Sequence, residues 1–169
     1  MVIMSRKGMV LCAIIISTNK EHPRRNNGEQ TKIICLKKGE INMTNVKFYI
    51  CKHCGNIVSS IKNSGVPIVC CGEKMEELVA NTVEASQEKH LPVVSILGDK
   101  VKVEVGSVAH PMLEEHSIQW ICLETTKGTL FKKLLPGEAP VAEFTLTNEE
   151  PVAVYEYCNL HGLWKTEIK

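Results

Sequence analysis

The sequence has few aromatic residues, almost no net charge and no long apolar run. Aromatic residues make up 5% of the 169 positions, and 20 Lys and Arg against 19 Asp and Glu give a formal charge of +1. This balance lacks the basic field with which nucleic-acid-binding proteins attract phosphate. The apolar run at residues 8–16 is shorter than the roughly 20 residues that cross a bilayer as a helix. We therefore expect no nucleic-acid partner and no membrane span.

Cysteine and histidine, by contrast, are abundant for a chain with so few aromatic residues. There are 8 Cys and 6 His, and these residue types bind metals or, in the case of Cys, form disulfides. No internal repeat or low-complexity tract accompanies them, and the length suits one ordinary domain or two small ones. Metal ligation or disulfide pairing is therefore the first question that the composition raises.

The first 42 residues differ from the rest in charge. They hold eight Lys and Arg against three Asp and Glu, whereas residues 43–169 hold twelve against sixteen. We expect this extension to be disordered or to lie upstream of the true start at Met43, because Lys38-Gly39-Glu40 back-translates into a purine-rich ribosome-binding sequence just before that codon. A genuine tail and a targeting segment are the alternatives, although no small-x-small cleavage site follows the apolar run. We expect residues 1–42 to be dispensable for fold and activity.

Residues 43–80 form a small unit with four patterned cysteines. Cys51 and Cys54 have C-x2-C spacing, and Cys70 and Cys71 are adjacent to each other. A glycine follows each pair and lets the backbone turn its amide groups toward sulfur. Four thiolates around a tetrahedral ion would stabilise a segment that is too short for its own core. A disulfide pair in an exported protein is the alternative, and sequence alone does not separate iron from zinc.

From about residue 92 the sequence consists of short alternating or apolar runs. Their period of two, their β-branched residues and the Gly and Pro turns between them predict antiparallel strands at 93–97, 100–105, 118–124, 130–134, 141–146 and 152–157. About seven strands in some eighty residues favour an immunoglobulin-like β-sandwich. We thus predict a mainly β chain, with a small four-cysteine metal domain at 43–80 followed by an immunoglobulin-like antiparallel β-sandwich at 81–169.

Four histidines and one cysteine form a second set of candidate ligands. His90, His110, His116, His161 and Cys158 all lie in predicted loops or at strand ends. Loops at one end of a sandwich converge in space, so these five side chains can meet. No methionine follows His161 as in a blue-copper site, and structural zinc would be filled by four ligands. Five donors of mixed nitrogen and sulfur type suit iron with one coordination position open.

The motifs around both sets of ligands point to a known family. Around the first set stand Lys47-Phe48-Tyr49-Ile50-Cys51 with Cys54, Cys70 and Cys71. Around the second stand Glu88-Lys89-His90, Ala109-His110-Pro111-Met112, Glu115-His116-Ser117-Ile118 and Cys158-Asn159-Leu160-His161-Gly162-Leu163-Trp164. Residues 43–169 thereby resemble desulfoferrodoxin, the two-iron form of superoxide reductase, and match its desulforedoxin-like centre I and its centre II. The extension of residues 1–42 is a departure from the family pattern.

The resemblance implies an enzyme that reduces superoxide to hydrogen peroxide by one electron at a ferrous centre. It implies iron at Cys51, Cys54, Cys70 and Cys71, with zinc as the alternative metal, and iron at His90, His110, His116 and His161 with Cys158 as axial ligand. Glu88 and Lys89 are the expected catalytic residues. Lys89 would steer superoxide and orient a proton-donating water, and Glu88 would take the sixth position of oxidised iron after product release. A rubredoxin-like electron donor, a homodimer and a cytoplasmic location are also implied.

Other functions stay open at this point. A recognition module braced by metal would hold colourless zinc, a dismutase would consume no external electrons, and an electron-transfer protein would have a closed metal site.

Several other residues have structural interpretations that involve no metal and no catalysis. We expect His53 to be a solvated loop residue, Cys122 a small buried residue, and Tyr157 and Trp164 core aromatics, while Cys12 and Cys35 have no patterned partner.

Overall fold

The structure, a computed structural model, describes residues 46–169. The expectations for residues 1–42, Cys12 and Cys35 among them, lie outside this part of the chain. No helix within residues 46–169 is both long enough and apolar enough to span a bilayer. The elements in these residues are β1 (Lys47–Ile50), β2 (Ile57–Ser60), β3 (Val69–Cys70), β4 (Glu73–Lys74), β5 (Glu76–Leu78), α1 (Gln87–His90), β6 (Pro92–Leu97), β7 (Lys100–Val105), β8 (Ile118–Thr125), β9 (Thr129–Lys133), β10 (Val141–Thr145), β11 (Pro151–Cys158) and β12 (Gly162–Glu167).

The cysteine-bearing unit is a small antiparallel sheet with an added hairpin. Its strand order is β2-β1-β5, and β3 pairs with β4 in a two-stranded ribbon. Both predicted turns adopt positive φ, 75° at Gly55 and 82° at Gly72, a conformation that only glycine adopts at little cost. These turns bring the C-x2-C loop and the hairpin together at one end of the unit.

The remainder of the described chain is a sandwich of two antiparallel sheets, in the orders β10-β7-β6 and β12-β11-β8-β9. Alternation along β7 buries Val101, Val103 and Val105 and leaves the intervening residues exposed. These valines belong to the same buried cluster as Ile121 and Leu123 of β8. The prediction of a mainly β chain with a four-cysteine unit and an antiparallel sandwich is therefore confirmed.

The second face of the sheet β12-β11-β8-β9 is also buried, because the small unit covers it. The Phe48 ring is only 1% exposed and lies 4.9 Å from the Trp120 ring and 5.4 Å from the Tyr155 ring, centroid to centroid. Glu124 links the two units, since its carboxylate accepts hydrogen bonds from Val46 N (3.2 Å) and Tyr155 Oη (3.0 Å). Coverage of both faces explains why β8 and β11 are almost continuously apolar rather than strictly alternating.

The connections at one end of the sandwich carry the five candidate ligands of the second set. His90 ends α1, which leads into β6, and Cys158 ends β11. His110 and His116 lie in the long connection from β7 to β8, and His161 lies in the turn before β12. The sandwich thus gathers side chains that are far apart in sequence.

Candidate metal centres

The four histidines of the second set form a closed square. The imidazole rings follow the order His90, His110, His116, His161 and back to His90, and successive ring centroids lie 4.8, 4.6, 4.9 and 4.7 Å apart. Neighbouring ring planes are inclined to each other by 72° to 79°. One donor atom from each ring, together with Cys158 Sγ, lies within 4.8 Å of all the others. The five side chains predicted to meet are therefore brought together.

The spacing of these donor atoms fits a single metal ion. His90 Nε2 lies 3.1 Å from His110 Nε2 and 3.0 Å from His161 Nδ1. Metal to imidazole bonds of ~2.1 Å at right angles would separate adjacent nitrogens by ~3.0 Å. His116 Nε2 is buried and has no hydrogen-bond partner within the described residues, as expected of a nitrogen reserved for a metal. Four nitrogens in a square with a thiolate beside them leave one side of the square for a further ligand.

Hydrogen bonds from the outer ring atoms fix two of the imidazoles. His90 Nδ1 donates to Ser86 O at 2.8 Å, and His110 Nδ1 donates to Pro111 O at 2.5 Å. Because a carbonyl only accepts, each Nδ1 carries the proton and each Nε2 keeps its lone pair for the metal. The Trp164 ring stacks on His90 at 5.0 Å, and its Nε1 donates to His161 O at 3.1 Å. Trp164 is buried as predicted, but it also supports two ligands.

His116 is held through its backbone rather than its ring. Asn159 Oδ1 accepts a hydrogen bond from Ser117 N at 2.9 Å, and its Nδ2 donates to Glu115 O at 2.9 Å. These contacts hold the residues on both sides of His116 against the loop that carries Cys158. The sequence analysis missed this role of Asn159, although its amide bonds backbone as asparagines in loops commonly do.

Burial shifts the pKa values of several side chains of the second set in the direction of their uncharged forms. It lowers the pKa of His90, and that of His110 to about 4, so both imidazoles are neutral at pH 7. Burial raises the pKa of the Cys158 thiol, while the N–H groups of Leu160 and His161 act in the opposite direction. A thiolate at this position is therefore favoured mainly by a bound metal cation.

Glu88 and Lys89, the expected catalytic residues, lie on α1 directly before the ligand His90. The Glu88 side chain is exposed, and its carboxylate accepts a hydrogen bond from Ser86 Oγ. This contact is the main reason why the pKa of Glu88 lies below its ordinary value. Both residues thus lie on the short helix that ends in His90.

Gly106 lets the β7–β8 connection approach α1 closely. It has φ +78°, and a Cβ there would lie 2.7 Å from both Lys89 O and Val108 O. We expect Gly106→Ala to displace α1 and His90, to weaken metal retention, and to lower the thermal midpoint by about 3–8 °C. Metal analysis after dialysis and a melting curve measure both effects. Gly98→Ala is the matched control, because Gly98 has φ +62° but nothing within 4 Å, and equal losses in the two variants would contradict this account.

The cysteines of the first set form a compact cluster that fits a tetrahedral ion. Cys70 Sγ lies 3.6 Å from Cys54 Sγ and 3.9 Å from Cys71 Sγ, and metal to sulfur bonds of ~2.3 Å in a tetrahedron give edges of ~3.8 Å. The adjacent pair reaches one point because Cys71 adopts φ 53°, a left-handed conformation that non-glycine residues seldom adopt. The left-handed backbone of Cys71 thus lets two adjacent side chains contribute to one cluster.

The thiols of this cluster differ widely in acidity. Hydrogen bonds from the backbone of Cys54 chiefly lower the pKa of Cys51 to about 7. Hydrogen bonds with Cys54 and Cys70 raise the pKa of Cys71 to about 12. Four thiolates at these distances repel one another, so a cation is needed to keep all of them ionised.

Two further candidate residues lie outside both clusters, as expected. His53 is exposed and is not part of the four-cysteine cluster, and Cys122 is buried apart from both clusters.

A four-cysteine cluster on the small unit and a His4Cys cluster at one end of the β-sandwich define a metalloprotein with two metal sites. The family descriptions "Desulfoferrodoxin, N-terminal domain" and "Desulfoferrodoxin" match residues 44–78 and 82–167. The chain belongs to the desulfoferrodoxin family.

Individual relatives support this assignment along most of the chain. The chain is 49% identical to desulfoferrodoxin from Nitratidesulfovibrio vulgaris, over 72% of this chain and 95% of the relative, and 48% identical to desulfoferrodoxin from Syntrophotalea carbinolica, over 72% and 96%. Among solved structures it is similar to the superoxide reductase from Treponema pallidum, with a TM-score of 0.62 and 40% identity over 72% of this chain and 98% of that one.

Proposed function

We propose that the chain is a superoxide reductase that converts superoxide to hydrogen peroxide by one electron at a ferrous ion. His90, His110, His116, His161 and Cys158 would hold this ion. The observation that carries the proposal is the closed square of four imidazoles with a thiolate beside it. The relatives named superoxide reductase and desulfoferrodoxin support the same activity.

Charge distinguishes the two centres as sites for superoxide. Four neutral imidazoles and one thiolate leave a divalent ion with net positive charge, whereas four thiolates give the other centre a net negative charge. Only the His4Cys centre therefore attracts an anion. We assign superoxide reduction to this centre, and we propose iron at the four-cysteine centre as well, with zinc as the alternative.

The residues around the His4Cys centre have distinct roles in the proposed reaction. Iron bound there supplies the electron that superoxide accepts. When iron is bound, the Cys158 thiolate would donate electron density to it, as the thiolate does in some haem enzymes, and would so favour transfer of an electron to superoxide and protonation of the product. The Lys89 ammonium would attract superoxide and orient a water molecule that gives one of the two protons needed to form hydrogen peroxide, and solvent would supply the other. Once hydrogen peroxide has left, the Glu88 carboxylate would provide a further ligand to the oxidised ion.

The role of Lys89 predicts an effect on the association step. Lys89→Ala should slow the second-order reaction with superoxide about ten-fold at low salt, and the rate should depend less on ionic strength than in the parent. Pulse radiolysis across a salt series measures both. Lys100→Ala is the control, because Lys100 begins β7 at the end opposite to the site-bearing connection. If Lys89→Ala keeps the parent rate and salt slope, Lys89 belongs to the solvated surface and not to the reaction.

The remaining features of the proposal concern the working assembly. We propose a domain boundary between residues 80 and 81, a homodimer, a rubredoxin-like protein as electron donor and a cytoplasmic setting. The family assignment supports these points.

Metal analysis, with visible spectra of the oxidised and reduced protein, tests the proposal that the chain is an iron-dependent superoxide reductase. We expect iron in both centres and a thiolate-to-iron charge-transfer band that bleaches on reduction. A colourless zinc protein would overturn the proposal.

A further inference from the structure

Ser86 connects two residues of the His4Cys centre that have different roles. It directly precedes α1, and its carbonyl accepts the hydrogen bond from His90 Nδ1 at 2.8 Å. Its hydroxyl donates to the Glu88 carboxylate. The backbone of Ser86 therefore orients a ligand, while its side chain holds the carboxylate that the proposed reaction places on the metal.

The hydroxyl of Ser86 does not perform the usual task of a serine at a helix start. A serine in this position commonly accepts a hydrogen bond from the backbone N–H two or three residues further on. Ser86 makes no such side-chain cap. A hydroxyl has a single proton to donate, and here that proton is directed at Glu88.

The backbone of Glu88 is fixed independently of its side chain. Glu88 O accepts hydrogen bonds from Val108 N at 3.0 Å and from Ser107 Oγ at 3.3 Å. Gly106 packs against the neighbouring Lys89 O, as described above. Because the β7–β8 connection holds the backbone, a Glu88 carboxylate that binds the metal would have to move by rotation about its own side-chain bonds. The hydrogen bond from Ser86 Oγ would oppose such a rotation.

We propose that Ser86 is a positioning residue that holds the Glu88 carboxylate away from the sixth coordination position and so keeps this position accessible to small anions. The inference rests on the proposed function, because it concerns the competition between Glu88 and an incoming anion at the same iron. Loss of the Ser86 hydroxyl removes the hydrogen bond that keeps the Glu88 carboxylate from competing with the anion. Glu88 then occupies the sixth position more often.

Azide binding to the oxidised holoprotein tests the role of Ser86. Ser86→Ala removes the hydroxyl but keeps the carbonyl that orients His90, so iron content should be unchanged. We expect its azide affinity to fall about five-fold below that of the parent, the size expected for loss of one ordinary hydrogen bond, because solvent weakens the contact at this exposed site. Ser86→Thr, which keeps a hydroxyl, should restore the parent affinity.

In a Glu88→Ala protein the carboxylate is absent, so Ser86→Ala should no longer change the azide affinity. The azide affinities of Glu88→Ala and of the double variant Ser86→Ala/Glu88→Ala should be equal, because Ser86 acts only through the carboxylate. The charge-transfer band of Ser86→Ala should also move in the direction opposite to that of Glu88→Ala. An unchanged azide affinity in Ser86→Ala, or a five-fold loss that persists without Glu88, would overturn the inference. Superoxide consumption by the parent tests the proposed function separately, since the azide comparison requires only iron in the His4Cys centre.

Discussion

Cys158→Ser should abolish superoxide reduction while the four imidazoles still retain metal. Cys158 is fully buried at the end of β11, and its sulfur is the only thiol among the five gathered donors. A serine hydroxyl is a poorer electron donor and stays protonated at neutral pH, so the oxygen reduced at the iron would no longer be made basic. We expect turnover to fall at least a hundred-fold and the thiolate-to-iron charge-transfer band to disappear.

The matched control for this substitution is Cys122→Ser. Cys122 is equally buried, with 0% exposure, but it lies in the cluster beneath the small unit rather than at the metal centre. Both variants place a hydroxyl in a buried strand, so the melting temperature of Cys122→Ser reports the cost of burial, and any further loss in Cys158→Ser reports the change of metal ligand. Iron-loaded Cys158→Ser that reduces superoxide at the parent rate would refute the thiolate role, and Cys122→Ser should keep its activity.

Cys51→Ser should remove the metal of the four-cysteine centre without stopping the reaction. Cys51 is 3% exposed, and hydrogen bonds from the backbone of Cys54 chiefly lower the pKa of its thiol to about 7. Its loss leaves three sulfurs for a tetrahedral ion. We expect the metal content to fall from about two to about one ion per chain, with superoxide reduction supported by a chemical reductant largely retained.

Metal analysis, the visible spectrum and superoxide consumption together measure this separation of the centres. His53→Ala is the control, because His53 lies between the two loop cysteines but its exposed side chain is outside the cluster. His53→Ala should keep both metals. Complete loss of turnover in folded Cys51→Ser would show that the four-cysteine centre is obligatory for the reaction.

The strands and the ligand sets could be predicted from the sequence because both depend on local patterns. Alternation along residues 100–105 and the turn residues between runs predict strands directly, and β7 has these bounds in the structure. The C-x2-C loop is likewise local. Predicting that distant ligands meet required one further step, the convergence of loops at the end of a sandwich. This step applies to His90, His110, His116 and Cys158.

Contacts between distant segments could not be predicted in this way. The residues of β8 do not predict that Phe48 covers the outer face of this strand, because this coverage depends on how the small unit packs. The amide of Asn159 holds residues that lie more than forty positions away. The sequence analysis gave Ser86 no role, and only the structure shows that its hydroxyl donates a hydrogen bond to Glu88.

The packing of Phe48 limits how freely the two halves of this chain can be exchanged or deleted. Although the family descriptions divide the sequence near residue 80, the sandwich depends on its neighbour to keep Tyr155, Tyr157 and Trp120 out of water. Without residues 46–80 this sheet would present a contiguous apolar patch of the kind that promotes aggregation. A free-standing sandwich would therefore have to acquire polar side chains at these positions first, which makes the small unit a solubility partner as well as a metal carrier.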